Sequence, residues 1–185
     1  MEHHQLEIGE AFFNEVARKR QESPGEVVMV IRRPSEKVLL LTKEFYPAGV
    51  YRLPSGMIRK GETPEEALVR EAQEETSLPV KVNRRLGAIH FILKNGSRRT
   101  DFISYLLLTD ETAGEPAPED LQESISGFRE VHPCDLPGIA AQLSNLPEPW
   151  RDWGRFRAAA HDSVHRELCS TGPASKSQDP GVYSR

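Results

Sequence analysis

The chain predicts an α/β protein built as a single domain. Its 185 residues are enough for one sizeable core. Runs of β-branched and other apolar residues at Val27 to Ile31, Val38 to Thr42, Gly87 to Leu93 and Thr100 to Thr109 read as strands. Around them, Gly9 to Gln21, Thr63 to Thr76, Pro133 to Leu143 and Trp150 to Leu168 read as helices.

In the first helix Phe12, Phe13, Val16 and Ala17 face inward, and Ser23-Pro24-Gly25 ends it. Residues 1–8 before it are polar and predict a loose arm. Val27 to Ile31 is continuously apolar, as suits a strand covered on both faces. The polar turn Arg32 to Lys37 predicts a hairpin between it and Val38 to Thr42. Tyr46, Tyr51 and Arg52 follow, and are candidate substrate contacts: aromatic rings stack on a base and arginine forks onto phosphate. Packing of a strand edge is the competing account of the two tyrosines.

Val80 to Val82 continues the strands after the second helix, and Lys94-Asn95-Gly96-Ser97 predicts a hairpin turn ahead of Thr100 to Thr109. Residues 110–124 form an acidic, Pro- and Gly-containing loop, long enough to suggest function. It carries Glu119, Asp120 and Glu123 just ahead of a strand at Ile125 to Val131. Trp150, Trp153, Phe156 and Arg157 recur at helical spacing and read as a packing stripe. His161 and His165 stand four apart without the glutamate of a zinc-protease motif, and read as an exposed pair. Residues 170–185 are rich in Ser, Pro and Gly, which predicts a disordered tail beyond a domain at 9–169.

The net charge of −4 gives no general nucleic-acid footprint, and Arg84-Arg85 and Arg98-Arg99 are short clusters. No long apolar run and no signal-peptide pattern occurs, so the expectation is a soluble cytoplasmic protein with no membrane partner. Cys134 and Cys169 are too few for a disulfide framework and are read as reduced thiols. A homodimer is left open.

The most informative stretch is Gly56 to Leu78, GMIRKGETPEEALVREAQEETSL. Thr63 predicts an N-cap, Pro64 suits the first helical position, and Glu66 completes a capping box. At about 100° per residue, Glu71, Glu74 and Glu75 share one exposed arc. Leu68, Val69, Ala72 and Thr76 fill the neighbouring, core-facing arc. Carboxylates offer only acceptors, so the cluster suits a hard divalent cation such as Mg²⁺ or Mn²⁺. A merely solvated acidic face is the alternative, since like-charge pairs on an exposed helix cost only about 0.2–0.5 kcal/mol each.

Gly56, Glu62, Arg70, Glu71, Glu74 and Glu75, with Ala72 and Leu78 at two aliphatic places, resemble the Nudix hydrolase signature in identity and spacing. Ser77 departs from it, standing where the family has glycine for a left-handed helix exit. The resemblance implies a Nudix-type α/β/α sandwich with a mixed sheet, and hydrolysis of a nucleoside diphosphate derivative. It implies metal ligation by Glu71, Glu74 and Glu75 together with a backbone carbonyl near Ser55 and Gly56, and ion pairing of Arg70 with Glu62. A further carboxylate, here Glu123, is expected as ligand or base, so Glu71 and Glu123 both stand as candidate bases. The family pattern for ADP-ribose substrates places a proline where Leu93 and Lys94 stand, which counts against that subclass. A nucleotide-sensing module of the same fold is the alternative to an enzyme, and isoprenoid diphosphate isomerase chemistry a third option. The intact glutamate set favours the enzyme.

Overall fold

The computed structural model describes residues 1–119 and 121–169. The tail expected at 170–185 and the side chain of Asp120 lie outside the described residues. Two sheets carry the architecture. The larger contains β1 (Glu2–Glu7), β2 (Glu26–Val30), β5 (Ser55–Met57), β6 (Val82–Asn95) and β7 (Arg98–Thr109), in the order β1-β6-β7-β2-β5. It is mixed: β1 runs parallel to β6 and β2 parallel to β7, whereas β6–β7 and β2–β5 are antiparallel. The smaller sheet is antiparallel, β3 (Arg32–Arg33) with β4 (Lys37–Lys43) and β8 (Ile125–Val131).

Helix α2 (Pro64–Thr76) covers one face of the larger sheet, and α1 (Glu10–Glu22) with α4 (Arg151–Cys169) covers the other. The alternation along β2 explains this. Val28 and Val30 join the core under α1 and α4, while Val27 and Met29 join Ala67, Leu68 and Ala72 of α2. With both faces covered, every β2 residue is buried, as its continuous apolar run predicts. The arrangement is the α/β/α sandwich. Helix α3 (Leu136–Ser144) packs against α4 at one end.

Several expectations need correction. Residues 2–7 are not a loose arm but strand β1, paired with β6 from Glu2–Ile89 to Glu7–Lys94. The expected hairpin of residues 27–31 with 38–42 exists only at its tip. Ile31 accepts from Leu39 N–H, and Arg32 and Arg33 pair with Val38 and Lys37. Upstream of that point β2 belongs to the other sheet, so the chain crosses between sheets at Ile31. Val69, assigned to the inward arc of α2, is 46% exposed. Cys134 and Cys169 are joined as a disulfide, not reduced thiols. Their Cα atoms lie 5.7 Å apart because α3 and α4 turn back on each other, a closure that a separation of 35 residues does not advertise. No helix among the described residues is long and apolar enough to cross a membrane.

Candidate active site

The site is built where β5 meets α2. The Thr63 hydroxyl accepts from Glu66 N–H at 3.2 Å and Glu66 accepts from Thr63 N–H at 2.8 Å, so the capping box forms as read. At the other end Ser77 takes the left-handed conformation, φ 54°, in the place where glycine would be free of strain. The acidic loop then serves α2. Ala117 N–H donates to Thr76 O and Glu119 N–H to Glu74 O, each at 3.0 Å, satisfying carbonyls that a helix end leaves open. That docking directs the following residues, including Glu123, back towards β4.

Arg70 ties helix to loop. Its Nε and Nη2 each donate to Glu62 at 2.8 Å and its Nη2 to Met57 O at 3.0 Å; Nη1 reaches Glu71 at 2.7 Å and Glu74 at 3.1 Å. The Glu62 hydrogen bonds, foremost, raise the Arg70 pKa further above its ordinary range. Gly56 fits a different constraint. A Cβ at residue 56 would lie 1.9 Å from Glu71 Cδ, so only glycine lets this carboxylate lie across β5.

The glutamates are not equivalent, and they do not share an exposed face. Glu75 is 1% exposed, under β4 and Arg52. Its Oε1 stands 3.6 Å from Lys43 Nζ, and its Oε2 has no hydrogen-bond partner among the described residues. Burial pushes its pKa up to about 7, against the opposing charges of Arg52 and Lys43. Burial likewise raises Glu71, opposed by Arg70. Lys43 Nζ also holds Glu123 at 2.5 Å. Glu71, Glu75 and Glu123 therefore line one cleft of about 430 Å³, together with Gly56. Glu74 does not line it and pairs instead with Arg70 and Arg59 on the outer side. Among the described residues no three His, Cys, Asp or Glu side chains converge tightly enough to enclose an ion. Lys43 and Arg70 sit between the carboxylates instead. The donor set is nevertheless all oxygen, with an unpartnered buried carboxylate oxygen, and fits a hard divalent cation.

Of the predicted substrate contacts, Tyr46 and Arg52 line this cleft and Tyr51 does not. The Tyr51 ring carries the Arg129 guanidinium 4.1 Å from its centroid. Arg52 is buried and committed: Nε donates to the Tyr46 hydroxyl at 2.8 Å and Nη1 to Leu53 O at 2.7 Å and Ser55 Oγ at 3.1 Å. It fixes Tyr46 in place, a different task from forking onto phosphate.

Sequence reasoning missed the opposite wall. Phe156 joins the main core and Trp150 and Trp153 pack against the smaller cluster of Val50, Ala140, Leu143, Leu146 and Ala158, as a packing stripe should, but Trp150, Trp153 and Arg157 also line the cleft. Glu26 takes two hydrogen bonds of 2.8 Å from Arg157 and one of 2.7 Å from Ser104. Burial opposes its ionisation, but Arg157 and Ser104 prevail and the pKa falls. His161, expected to be exposed, is 1% exposed. Leu53 N–H donates to its Nε2 at 3.0 Å, and its Nδ1 donates to Arg157 O at 2.9 Å. One nitrogen must accept and the other donate, which specifies the neutral imidazole. Burial, the main cause, depresses its pKa to about 4.

These features match known proteins. A family model described as the NUDIX domain matches residues 23–153. A Methanocaldococcus jannaschii protein named ADP-ribose pyrophosphatase is 32% identical over 132 residues, 70% of this chain and 75% of that protein. The NAD-capped RNA hydrolase NudC of Photobacterium profundum is 27% identical over 113 residues, 61% of this chain and 40% of that longer protein. A solved NUDIX hydrolase from Nitrosomonas europaea superposes with a TM-score of 0.55 at 18% identity, covering 80% of this chain and 91% of that one, a likeness of fold. The chain belongs to the Nudix family and is a hydrolase of that class. Members of the family generally use divalent metal ions and act on nucleotide-type substrates.

Proposed function

We propose that this protein hydrolyses a pyrophosphate linkage in a nucleoside diphosphate derivative or nucleotide, with Mg²⁺ or Mn²⁺. The observation that carries the reading is the convergence of Glu71, Glu75 and Glu123 on one cleft around Gly56. Glu71 and Glu75, with the backbone carbonyl beside Gly56, would hold the cation, and Glu74 would keep Arg70 and the helix in register. Such an ion neutralises phosphate oxygens and lowers the pKa of a bound water towards neutrality.

The chain's own residues have distinct tasks. Arg70, locked by Glu62, fixes the slope of α2 against β5 and thereby the direction of Glu71. Lys43 pairs with Glu75 and Glu123 and lines the cleft, where its charge is suited to a phosphate. Glu123 arrives from a docked loop, and is suited to accept the proton of the attacking water. Attack in line on phosphorus then needs positioning and charge stabilisation more than covalent chemistry.

The test is a substrate panel: ADP-ribose, NAD, nucleoside triphosphates, dinucleoside polyphosphates and sugar nucleotides, with Mg²⁺, Mn²⁺ or chelator. ADP-ribose enters on the name of the archaeal relative, although Leu93 and Lys94 stand where a proline marks that subclass. Metal-dependent release of phosphate, pyrophosphate or a monophosphate ester is expected for at least one compound. Tight binding without turnover of any would favour the sensing module instead.

A further inference from the structure

We propose that the Cys134–Cys169 disulfide is an exchange site for a small anionic thiol, drawn into the pocket beside it by Arg32 and Arg84. The bridge joins the short turn Pro133–Asp135, ahead of α3, to the last residue of α4. Cys134 is exposed and Cys169 half-buried. Both line a pocket of about 360 Å³, together with Arg32, Arg84, His132 and Leu168. That volume is of small-molecule size. The pocket shares no residue with the cleft of Glu71, Glu75 and Glu123, so the proposal is independent of the hydrolase reading.

The strands bring the two arginines together. Arg84 of β6 pairs with Leu108 of β7, and the next residue, Thr109, accepts from Arg32 N–H at 3.0 Å through its hydroxyl. Among the described residues, neither guanidinium has a hydrogen-bond or ion-pair partner. Their sequence neighbours Arg33 and Arg85 are both paired with glutamates. Glu36 is the one carboxylate among the described residues lining the pocket, and it is exposed and pairs with neither arginine. Two guanidiniums against one carboxylate leave a positive field at the sulfurs. Such a field concentrates anions and favours thiolate over thiol.

In the exchange, the incoming thiolate attacks Cys134 Sγ, the more exposed end, in line with the S–S bond. A new S–S bond forms to Cys134 and the old one breaks. Its electron pair leaves on Cys169 Sγ, which takes a proton from water. The incoming thiol is oxidised to the disulfide level as Cys169 is reduced to a thiol, so no further oxidant is needed. A purely structural staple is the competing account, but it calls for no unpaired arginines beside it. Nor does α4 depend on the bridge alone. His165 Nδ1 donates to Pro133 O at 3.3 Å, and Phe156, Ala159, Ala160 and Val164 lie in the main core. The helix therefore stays docked when the bridge opens.

The test exposes the air-oxidised, full-length protein to excess mercaptopropionate, mercaptoethanol or cysteamine, followed by acid quench, alkylation and intact mass. Each rate is divided by the same thiol's rate on hydroxyethyl disulfide, which removes differences in intrinsic nucleophilicity. The corrected rate for anionic mercaptopropionate should exceed that for cationic cysteamine about tenfold, with the adduct on Cys134. Arg84→Gln, at an exposed position, should cut that ratio about threefold, and adding Arg32→Gln should bring it near one. Should the double variant fold poorly, salt gives the same answer on the wild type. At about 1 M ionic strength the Debye length is about 3 Å, and the preference should vanish. Two free thiols after air oxidation, a bridge that resists all three thiols in the folded protein, or a ratio near one at low salt would overturn the proposal. So would a preference that neither salt nor Arg84→Gln reduces. The readout is the state of the sulfurs, so the result stands whether or not the protein hydrolyses a nucleotide.

Discussion

Glu71 lies so close over Gly56 that a Cβ there would come within 1.9 Å of the Glu71 carboxyl carbon and 2.3 Å of Oε2. The backbone of β5 and the side chain of α2 thus share a space that no other residue at position 56 leaves open.

Gly56→Ala should therefore displace Glu71 or push β5 away from β2. Overpacking of this kind costs about 1–3 kcal/mol in stability. The loss of activity should be larger, roughly a hundredfold in kcat, because a misplacement of about 1 Å is enough to spoil a positioned site. Thermal melts and metal-dependent turnover of the folded variant would measure the two effects separately. Wild-type turnover in Gly56→Ala would show that Glu71 has no role fixed by that contact.

Glu75→Gln keeps the size of the side chain and removes its charge. If Glu75 is only a buried acid paired with Lys43, the variant should change stability by about 1 kcal/mol and leave turnover alone. If Glu75 holds the cation, kcat should fall roughly a hundredfold or more. The rise in Tm on adding Mg²⁺ or Mn²⁺ should shrink as well. Glu65→Gln is the control, since Glu65 pairs with Arg85 on the surface, away from the cleft. Equal activity of the two variants would remove Glu75 from the metal site.

His161 predicts a pH dependence of stability. Its pKa is about 4 folded, against an ordinary value near 6.5. Between those values the unfolded chain binds more protons than the folded one, so stability falls as pH drops. The loss should begin near pH 6.5 and reach roughly 2–3 kcal/mol by pH 4. Urea unfolding at pH 7, 6 and 5 on wild type and His161→Gln would isolate it, and the variant should lose less between pH 7 and 5. Identical slopes would mean that His161 takes up its proton equally in the folded and unfolded chain, and that its pKa is not depressed by folding.

What the sequence made legible was local. The α2 capping box needs only Thr63, Pro64 and Glu66, and it formed as read because its donors and acceptors are three residues apart. The polar and glycine positions of the stretch from Gly56 to Glu75 were likewise readable, because their spacing reflects contacts between one loop and one helix. Strand β1 was not legible: four of its six residues are charged or histidine, and its partner β6 lies more than eighty residues away. Helical periodicity placed Glu75 on an arc but could not say that Lys43 and Arg52 cover that arc. It also placed Trp150, Trp153 and Arg157 together without telling a core from a cleft wall, since both present apolar rings at the same spacing. The disulfide required knowing that α3 and α4 fold back on each other.

That disulfide encloses residues 134–169 in a covalent ring, and the ring contains Trp150, Trp153, Arg157 and His161. Every contribution of α4 to the cleft thus belongs to a closed loop of chain. A protease that cuts the connection at residues 145–149 would leave two peptides but still one molecule, migrating as a single species until reductant is added. The tryptophan wall of the cleft is anchored at both ends, once through the polypeptide and once through sulfur.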